Sequence, residues 1–298
     1  MTVQSDSLVR FLLPDAGVRG VHVHLDESWR QILSHGSYPP SAAELLGEAV
    51  VASALFTGHT KVDGRLSIQL RSNTAMRTLF AECTAAGTLR GIVQLAEGGG
   101  DAPRDLTALG EDALLAITIE NPGLDPREPQ RYQSLVGLTA SGLDEAFEDY
   151  FRQSEQLPTR LLLAADGDRA AGLLLQKLPG DEGDQDGWSR ASALFDTLGK
   201  QELLEVASDT LLHRLFHEEN PSLLGGKPLR FACSCSRDRV ASMLQSLGET
   251  EARAAAEPTG AVEVRCEFCG QEYHFPLTEF DILFREVELS SPAPERLQ

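Results

Sequence analysis

The chain has 298 residues, of which 42% are hydrophobic and 24% charged, and its net charge is −19. The length suits about two domains, and the composition suits a soluble globular protein. With 26 Lys+Arg against 45 Asp+Glu and no basic run, the chain lacks the footprint that a phosphate backbone or an anionic membrane requires. Such a surplus of acid does suit a protein that must stay soluble beside sticky partners.

Met1 to Arg10 has no basic flank leading into a long apolar core, so no signal peptide is expected. No apolar run approaches the roughly 18 residues of a membrane span. The expected location is the cytoplasm. Thiols stay reduced there, and close cysteine pairs bind metal or do chemistry rather than form structural disulfides.

The first part of the chain alternates apolar and polar residues at the period of strands. Arg19–Leu25 and Arg65–Arg71 are the clearest cases, followed by Arg77–Cys83, Leu89–Leu95 and Leu114–Ile119. Glycine-containing turns such as Ala86-Gly87 predict antiparallel meanders. A helix is predicted over Ser41–Thr57, with Ser41 as N-cap and Glu44 at capping-box spacing, and another over Ser141–Gln153. A hairpin is expected around Asp166-Gly167-Asp168. Cys83, alone within its strand, reads as a buried inert thiol.

Leu178 to Gly187 is acidic and punctuated by Gly and Pro, as linkers are. Trp188–Glu219 then turns helical, with Leu194, Phe195, Leu198, Leu211, Leu212, Leu215 and Phe216 among its apolar residues, and Asn220-Pro221 ends it. Together these features predict an α+β fold in three parts. Residues 1–178 form an N-terminal mixed α/β domain with an antiparallel-rich sheet. Residues 179–230 form an acidic and helical linker region, and 231–298 a small C-terminal zinc-binding domain.

That last part holds Cys233-Ser-Cys235 and Cys266-Glu-Phe-Cys269, thirty residues apart. Two close pairs can surround one tetrahedral ion, and zinc is the metal that four-cysteine sites favour. Iron–sulfur clusters also use four cysteines, but at other spacings. Cys266 to Gly270 has the form of a zinc knuckle at the tip of a hairpin between Val262–Arg265 and Glu272–Phe275. Ser236 is a plausible N-cap for a helix stopped at Gly248. His274 is surplus as a ligand. His213 and His217 stand at i, i+4 with no third ligand in view, and His22 and His24 share one strand face without a metal-site pattern.

A purely structural finger has no need of two cysteines one residue apart. In a switch, a sulfenic acid on one cysteine has a resolving thiol in reach, so condensation gives Cys233–Cys235 or Cys266–Cys269 and removes two ligands. Structural zinc contributes about 10–16 kcal/mol in small modules, and whole domains are stable by only about 5–15 kcal/mol. Loss of the ion should therefore unfold a module of this size.

Phe231–Val240 together with Cys266–Tyr273 resembles the heat shock protein 33 family of redox-regulated 33 kDa chaperonins. The similarity extends to Leu45–Glu48, Lys61–Gln69, Leu89–Gly91 and Gly172–Gly180. The resemblance implies a chaperone that holds unfolding clients without ATP. In the reduced form one Zn2+ per chain would be held by Cys233, Cys235, Cys266 and Cys269. Oxidation would form the disulfides Cys233–Cys235 and Cys266–Cys269, release zinc and destabilise the linker. The active form would be a homodimer, and the apolar face of Leu194, Phe195, Leu198, Leu211, Leu212, Leu215 and Phe216 would contact clients. The alternative is an enzyme or regulatory protein with a structural zinc ribbon. No G-x-S-x-G, Walker A or H-E-x-x-H motif supports it, and Leu224-Gly-Gly-Lys-Pro lacks the P-loop's Ser/Thr and length.

Overall fold

The structure, a computed structural model, describes residues 6–98, 100–125, 128–180, 184–256 and 260–290, with backbone only over 285–290. Residues 181–183 of the predicted acidic linker lie outside the described residues. The chain divides into two compact units between Ala232 and Cys233.

The first unit opens with β1 (Ser7–Leu13), β2 (Val18–Leu25), α1 (Glu27–Ser34) and α2 (Pro40–His59). It continues with β3 (Arg65–Arg71), β4 (Met76–Thr84), β5 (Thr88–Leu95), β6 (Leu114–Asn121), β7 (Gln130–Val136), α3 (Leu143–Ser154), β8 (Thr159–Ala165) and β9 (Ala170–Lys177). It closes with α4 (Gly187–Phe195), α5 (Lys200–Glu205), α6 (Ser208–Phe216), β10 (Ser222–Pro228) and β11 (Arg230–Phe231). A five-stranded sheet has the order β10-β1-β2-β9-β8, and a six-stranded sheet the order β11-β5-β4-β3-β6-β7. Every neighbouring pair is antiparallel except β11 with β5.

The two sheets meet through α2, which packs on strands of both. Its buried residues run almost unbroken from Leu45 to Thr57, the pattern of a helix with apolar neighbours all round. Close approach is possible because each sheet carries a glycine beneath it. A Cβ on Gly91 of β5 would sit 2.8 Å from Val50 Cγ2, and one on Gly172 of β9 would sit 2.5 Å from Val51 Cγ1. In β3 only Leu66, Ile68 and Leu70 turn inward. β9 is buried on both faces along nearly its whole length, because the five-stranded sheet has a second cover.

That cover is the helical segment from Gly187 to Glu219. Phe195, Leu211 and Phe216 pack with Phe11, Leu13, Val18 and Leu173 in one cluster, and the rings of Phe11 and Phe216 stack at 6.1 Å. Polar anchors pin the layer. His22 Nδ1 lies 2.8 Å from Ser208 Oγ, and His24 Nε2 donates to the Leu204 carbonyl at 2.9 Å. The buried Glu48 carboxylate of α2 accepts from Arg104 at 2.7 Å and from Lys200, at the start of α5, at 3.3 Å. Arg190 grips buried Glu219 through two nitrogens.

The second unit holds α7 (Arg237–Leu247), α8 (Glu249–Ala256), β12 (Ala261–Arg265), β13 (Glu272–Pro276) and α9 (Leu277–Ser290). The helices and the β12–β13 hairpin close around Val240, Leu244, Ala256, Val262, Phe275 and Phe280. The expected hairpin, the Ser236 cap and the Gly248 stop are all present. The predicted N-cap of α2 is not. Pro39 occupies that position, and the Asp101 carboxylate accepts from the Ser41 and Ala42 N–H groups, each at 3.1 Å. Glu44 instead faces Arg104. A carboxylate sixty residues away thus does the work assigned to a local capping box.

Burial, and then the neighbouring His24, push His22 down to about 3 from its usual 6.5, and its Nε2 has no hydrogen-bond partner. The unfolded chain therefore binds a proton that the folded chain refuses between pH 6.5 and about 3, so stability falls as pH drops through that window, by up to about 1.4 kcal/mol per pH unit. Urea unfolding of the wild type and His22→Gln across this range should show a shallower pH slope in the variant.

Candidate metal centre

The four predicted ligands come from two local structures of the second unit. Cys233-Ser234-Cys235 is a loop ending at Ser236, whose hydroxyl accepts from Arg239 N at 3.2 Å to start α7. Arg239 Nη1 reaches back to donate to the Ser234 carbonyl at 2.8 Å and to its hydroxyl at 2.6 Å. Cys266 and Cys269 sit on the turn joining β12 to β13. The turn is closed by Cys266 N to Gln271 O at 2.9 Å and Gly270 N to Cys266 O at 2.8 Å. Gly270 has φ +69, the left-handed conformation that favours glycine. Arg237 joins the two parts. Its Nη1 donates to the His274 carbonyl at 2.9 Å, its guanidinium lies 4.2 Å from the Phe275 ring centre, and it pairs with Glu279 on α9.

All four sulfurs lie within 4.8 Å of one another. Cys233 Sγ and Cys266 Sγ are 3.6 Å apart, and Cys235 Sγ and Cys269 Sγ 3.3 Å. Four sulfurs each about 2.3 Å from a central zinc lie about 3.8 Å apart in a tetrahedron, so the cluster fits the ion with small adjustments. None of the thiols is in a disulfide, and all four are half-buried.

The thiols differ in character. Burial pushes Cys235 up, but hydrogen bonds with Tyr273 and the neighbouring cysteines outweigh it and bring the thiol down to about 7. Cys233 and Cys269 are held up, first by burial and then by neighbouring thiols. The Tyr273 hydroxyl, hydrogen-bonded to Cys235, is pushed up to about 12.

Among the described residues no histidine or carboxylate joins the cluster. His274 faces Glu263 across the hairpin at 3.5 Å. His213 and His217 are exposed, with His217 Nδ1 3.2 Å from the His213 carbonyl oxygen. Cys83 is buried in β4, and burial raises it to about 11, as an inert thiol requires. Phe195, Leu198, Leu211, Leu212, Leu215 and Phe216 are buried on the five-stranded sheet, with Leu194 half-buried beside them. Arg237, Arg239 and Tyr273 support the cysteines without having been singled out from the sequence. The Ser236 cap is the available signal for the two arginines, because it places both on the first turn of α7.

Comparisons with known proteins agree over nearly the whole chain. The family model described as Hsp33 protein matches residues 6–276. A 33 kDa chaperonin from Ectopseudomonas mendocina is 43% identical over 298 residues, covering 98% of this chain and 99% of its own. One from Azotobacter vinelandii is 41% identical over 297 residues, covering 98% of both. The crystal structure of a 33 kDa chaperonin (heat shock protein 33 homolog) from Thermotoga maritima aligns with a TM-score of 0.75. It covers 95% of this chain and 99% of that one at 21% identity, which establishes a common fold.

Thiolate ligands must give up their protons, so uptake of metal should release protons and weaken as pH falls. Competition against a chromophoric zinc chelator should show one equivalent bound by the reduced protein, with affinity rising from pH 6 to 8. Cys233→Ser or Cys269→Ser should lower that affinity at least tenfold.

Proposed function

The chain belongs to the Hsp33 family, and from that membership we propose that it is a redox-regulated chaperone that holds unfolding proteins without ATP. It acts by binding rather than catalysis, in the cytoplasm, as a homodimer once activated. The observation that carries the reading is the gathering of Cys233, Cys235, Cys266 and Cys269 into one cluster within a unit whose apolar core is small.

In the resting form these four sulfurs hold one Zn2+. The ion would supply charge that keeps them as thiolates and a bond network tying the loop before α7 to the β12–β13 hairpin. A hydroperoxide oxidises one thiolate to a sulfenic acid. Two electrons pass to the O–O bond, which breaks, and the second oxygen leaves as water or alcohol. The neighbouring thiol then attacks the sulfenic sulfur, an S–S bond forms and water leaves. Cys233 pairs with Cys235, and Cys266 with Cys269. Each disulfide removes two donors, and the chain loses its hold on the ion.

The core around Val240, Leu244 and Phe280 is then too small to keep the second unit folded. The residues from 179 to 230 act as the linker that responds. As α4–α6 loosen, Phe195, Leu211, Leu212 and Phe216, together with the sheet residues Phe11, Leu13 and Val18 that they now cover, become an apolar surface. A surface of that kind binds exposed apolar segments of other chains. The acidic net charge keeps the activated protein soluble while it does so.

Treatment of the reduced, zinc-loaded protein with hydrogen peroxide at elevated temperature should release zinc, consume four thiols per chain and confer suppression of client aggregation. Zinc that stays bound, or zinc release without gain of anti-aggregation activity, would contradict the switch. Cys83→Ala should leave the response unchanged, because that thiol is buried and held in its protonated form.

A further inference from the structure

The two sheets of the first unit have four outer edges, and three of them are protected. β10 ends in Lys227-Pro228, contains Gly225 at φ +127 and departs from regular register with β1 between Arg10 and Phe11. β11 is two residues long. β8 is covered by α3 and α5, and the Leu161 N–H donates to Glu148 of α3 at 2.7 Å. Glycine, proline, lysine, irregular register, shortness and a helical cover are the devices by which proteins prevent strands from adding to a sheet.

β7 has neither the irregular register nor the shortness of the other edges, although it carries Arg131 and α3 touches it. It runs for seven residues, Gln-Arg-Tyr-Gln-Ser-Leu-Val, in unbroken register with β6. It contains no proline, lysine, glycine or acid. Among the described residues no strand pairs with its outer side. Its large side chains also face solvent, with Tyr132 62% and Leu135 66% exposed. Leu135 lies opposite Ala116 and shares a sheet face with Leu114 of β6, itself 56% exposed, while Tyr132 lies opposite Ile119 on the other face. The edge thus offers a row of backbone donors and acceptors with apolar side chains on both sides.

We propose that β7 docks an extended apolar segment of a non-native polypeptide as an added strand of the six-stranded sheet. The inference rests on the chaperone reading above and names where and how a client is gripped. Three considerations select this occupant. Most backbone donors and acceptors in folded proteins are already paired, whereas an unfolded stretch offers free donors and acceptors along its whole length. Main-chain pairing is tolerant of sequence, as a general chaperone needs. A second copy of this chain would approach with a net charge of −19 spread over its surface, a long-range repulsion that an apolar client segment does not bring. The edge supplies hydrogen bonds but little burial, so alone it gives weak binding. It acts with the apolar surface that oxidation uncovers.

The test uses full-length, peroxide-activated protein with a carboxymethylated, permanently unfolded polypeptide as client. Hydrogen exchange should slow about tenfold at alternate amides of 130–136 when client is present. A seven-residue apolar peptide should compete for the site. The same peptide N-methylated along one edge should compete about tenfold less well, since two lost hydrogen bonds of about 0.5–1.5 kcal/mol each amount to roughly that factor. Tyr132→Lys and Leu135→Lys, both at exposed positions, should weaken client holding while peroxide-driven zinc release is unchanged. Client held with no added protection at β7, or equal competition by both peptides, would overturn the inference and leave the chaperone reading intact. Protection of β7 that depends on protein concentration and not on client would show self-pairing, which also overturns it. Activated protein that holds no client would overturn both.

Discussion

The second unit depends on bringing four sulfur atoms to one point. Among the described residues its hydrophobic core is one cluster around Val240, Leu244, Phe275 and Phe280. At about 1.5–3 kcal/mol per large side chain, that burial is set against the cost of ordering the whole unit. Much of the rest of the unit's structure serves the cysteines. Ser236 starts α7 where the loop ends, Arg239 holds the loop backbone, Gly270 permits the knuckle, and Arg237 bridges loop and hairpin. In the proposed switch these contacts converge on the cysteine cluster, and oxidation of its thiolates would be the unit's point of failure.

The first unit is built differently. α2 lies between two sheets at the distance that Gly91 and Gly172 allow, and this core needs no metal. The layer of α4–α6 is a separate addition to its outside. It buries Phe195, Leu211 and Phe216 and is tied to the rest of the unit by polar contacts that include His22 with Ser208, His24 with Leu204, Glu48 with Lys200 and Arg160 with Asp196. In the proposed switch this is the division of labour required: a core that survives oxidation and a cover that does not. The chain order supports it, since α4–α6, β10 and β11 lie directly before Cys233.

Local signals make much of this legible. Strict alternation reveals β2 and β3, the Asp166-Gly167-Asp168 turn reveals the β8–β9 hairpin, and paired cysteines reveal the cluster. What escapes is decided by tertiary context. β10 has three glycine and proline residues in seven and becomes a strand only because β1 pairs with it. β7 is polar and largely exposed, so no alternation of buried residues marks it. The start of α2 is misread because Asp101, distant in sequence, satisfies N–H groups that a local serine is expected to cap. The burial of the helical segment on the outer face of β2 and β9 is also hidden. An apolar helix face shows that it will be covered, but not by what.

The sheet edges and the helical cover bear on one problem. A chaperone must keep its own sticky surfaces from meeting each other while leaving them able to meet a client. Apolar faces cannot discriminate between the two, since burial is non-directional, and so they have to be physically covered until needed. A strand edge is more selective, because it accepts only a segment whose own backbone is unpaired, which an unfolded client offers throughout and a folded copy only at its open edge. On the proposed reading the face of the five-stranded sheet has a removable cover, whereas β7 stands open in the resting protein. In the proposed switch, the blunting of β8 and β10, which border the covered face, would keep an added strand from obstructing the return of the cover.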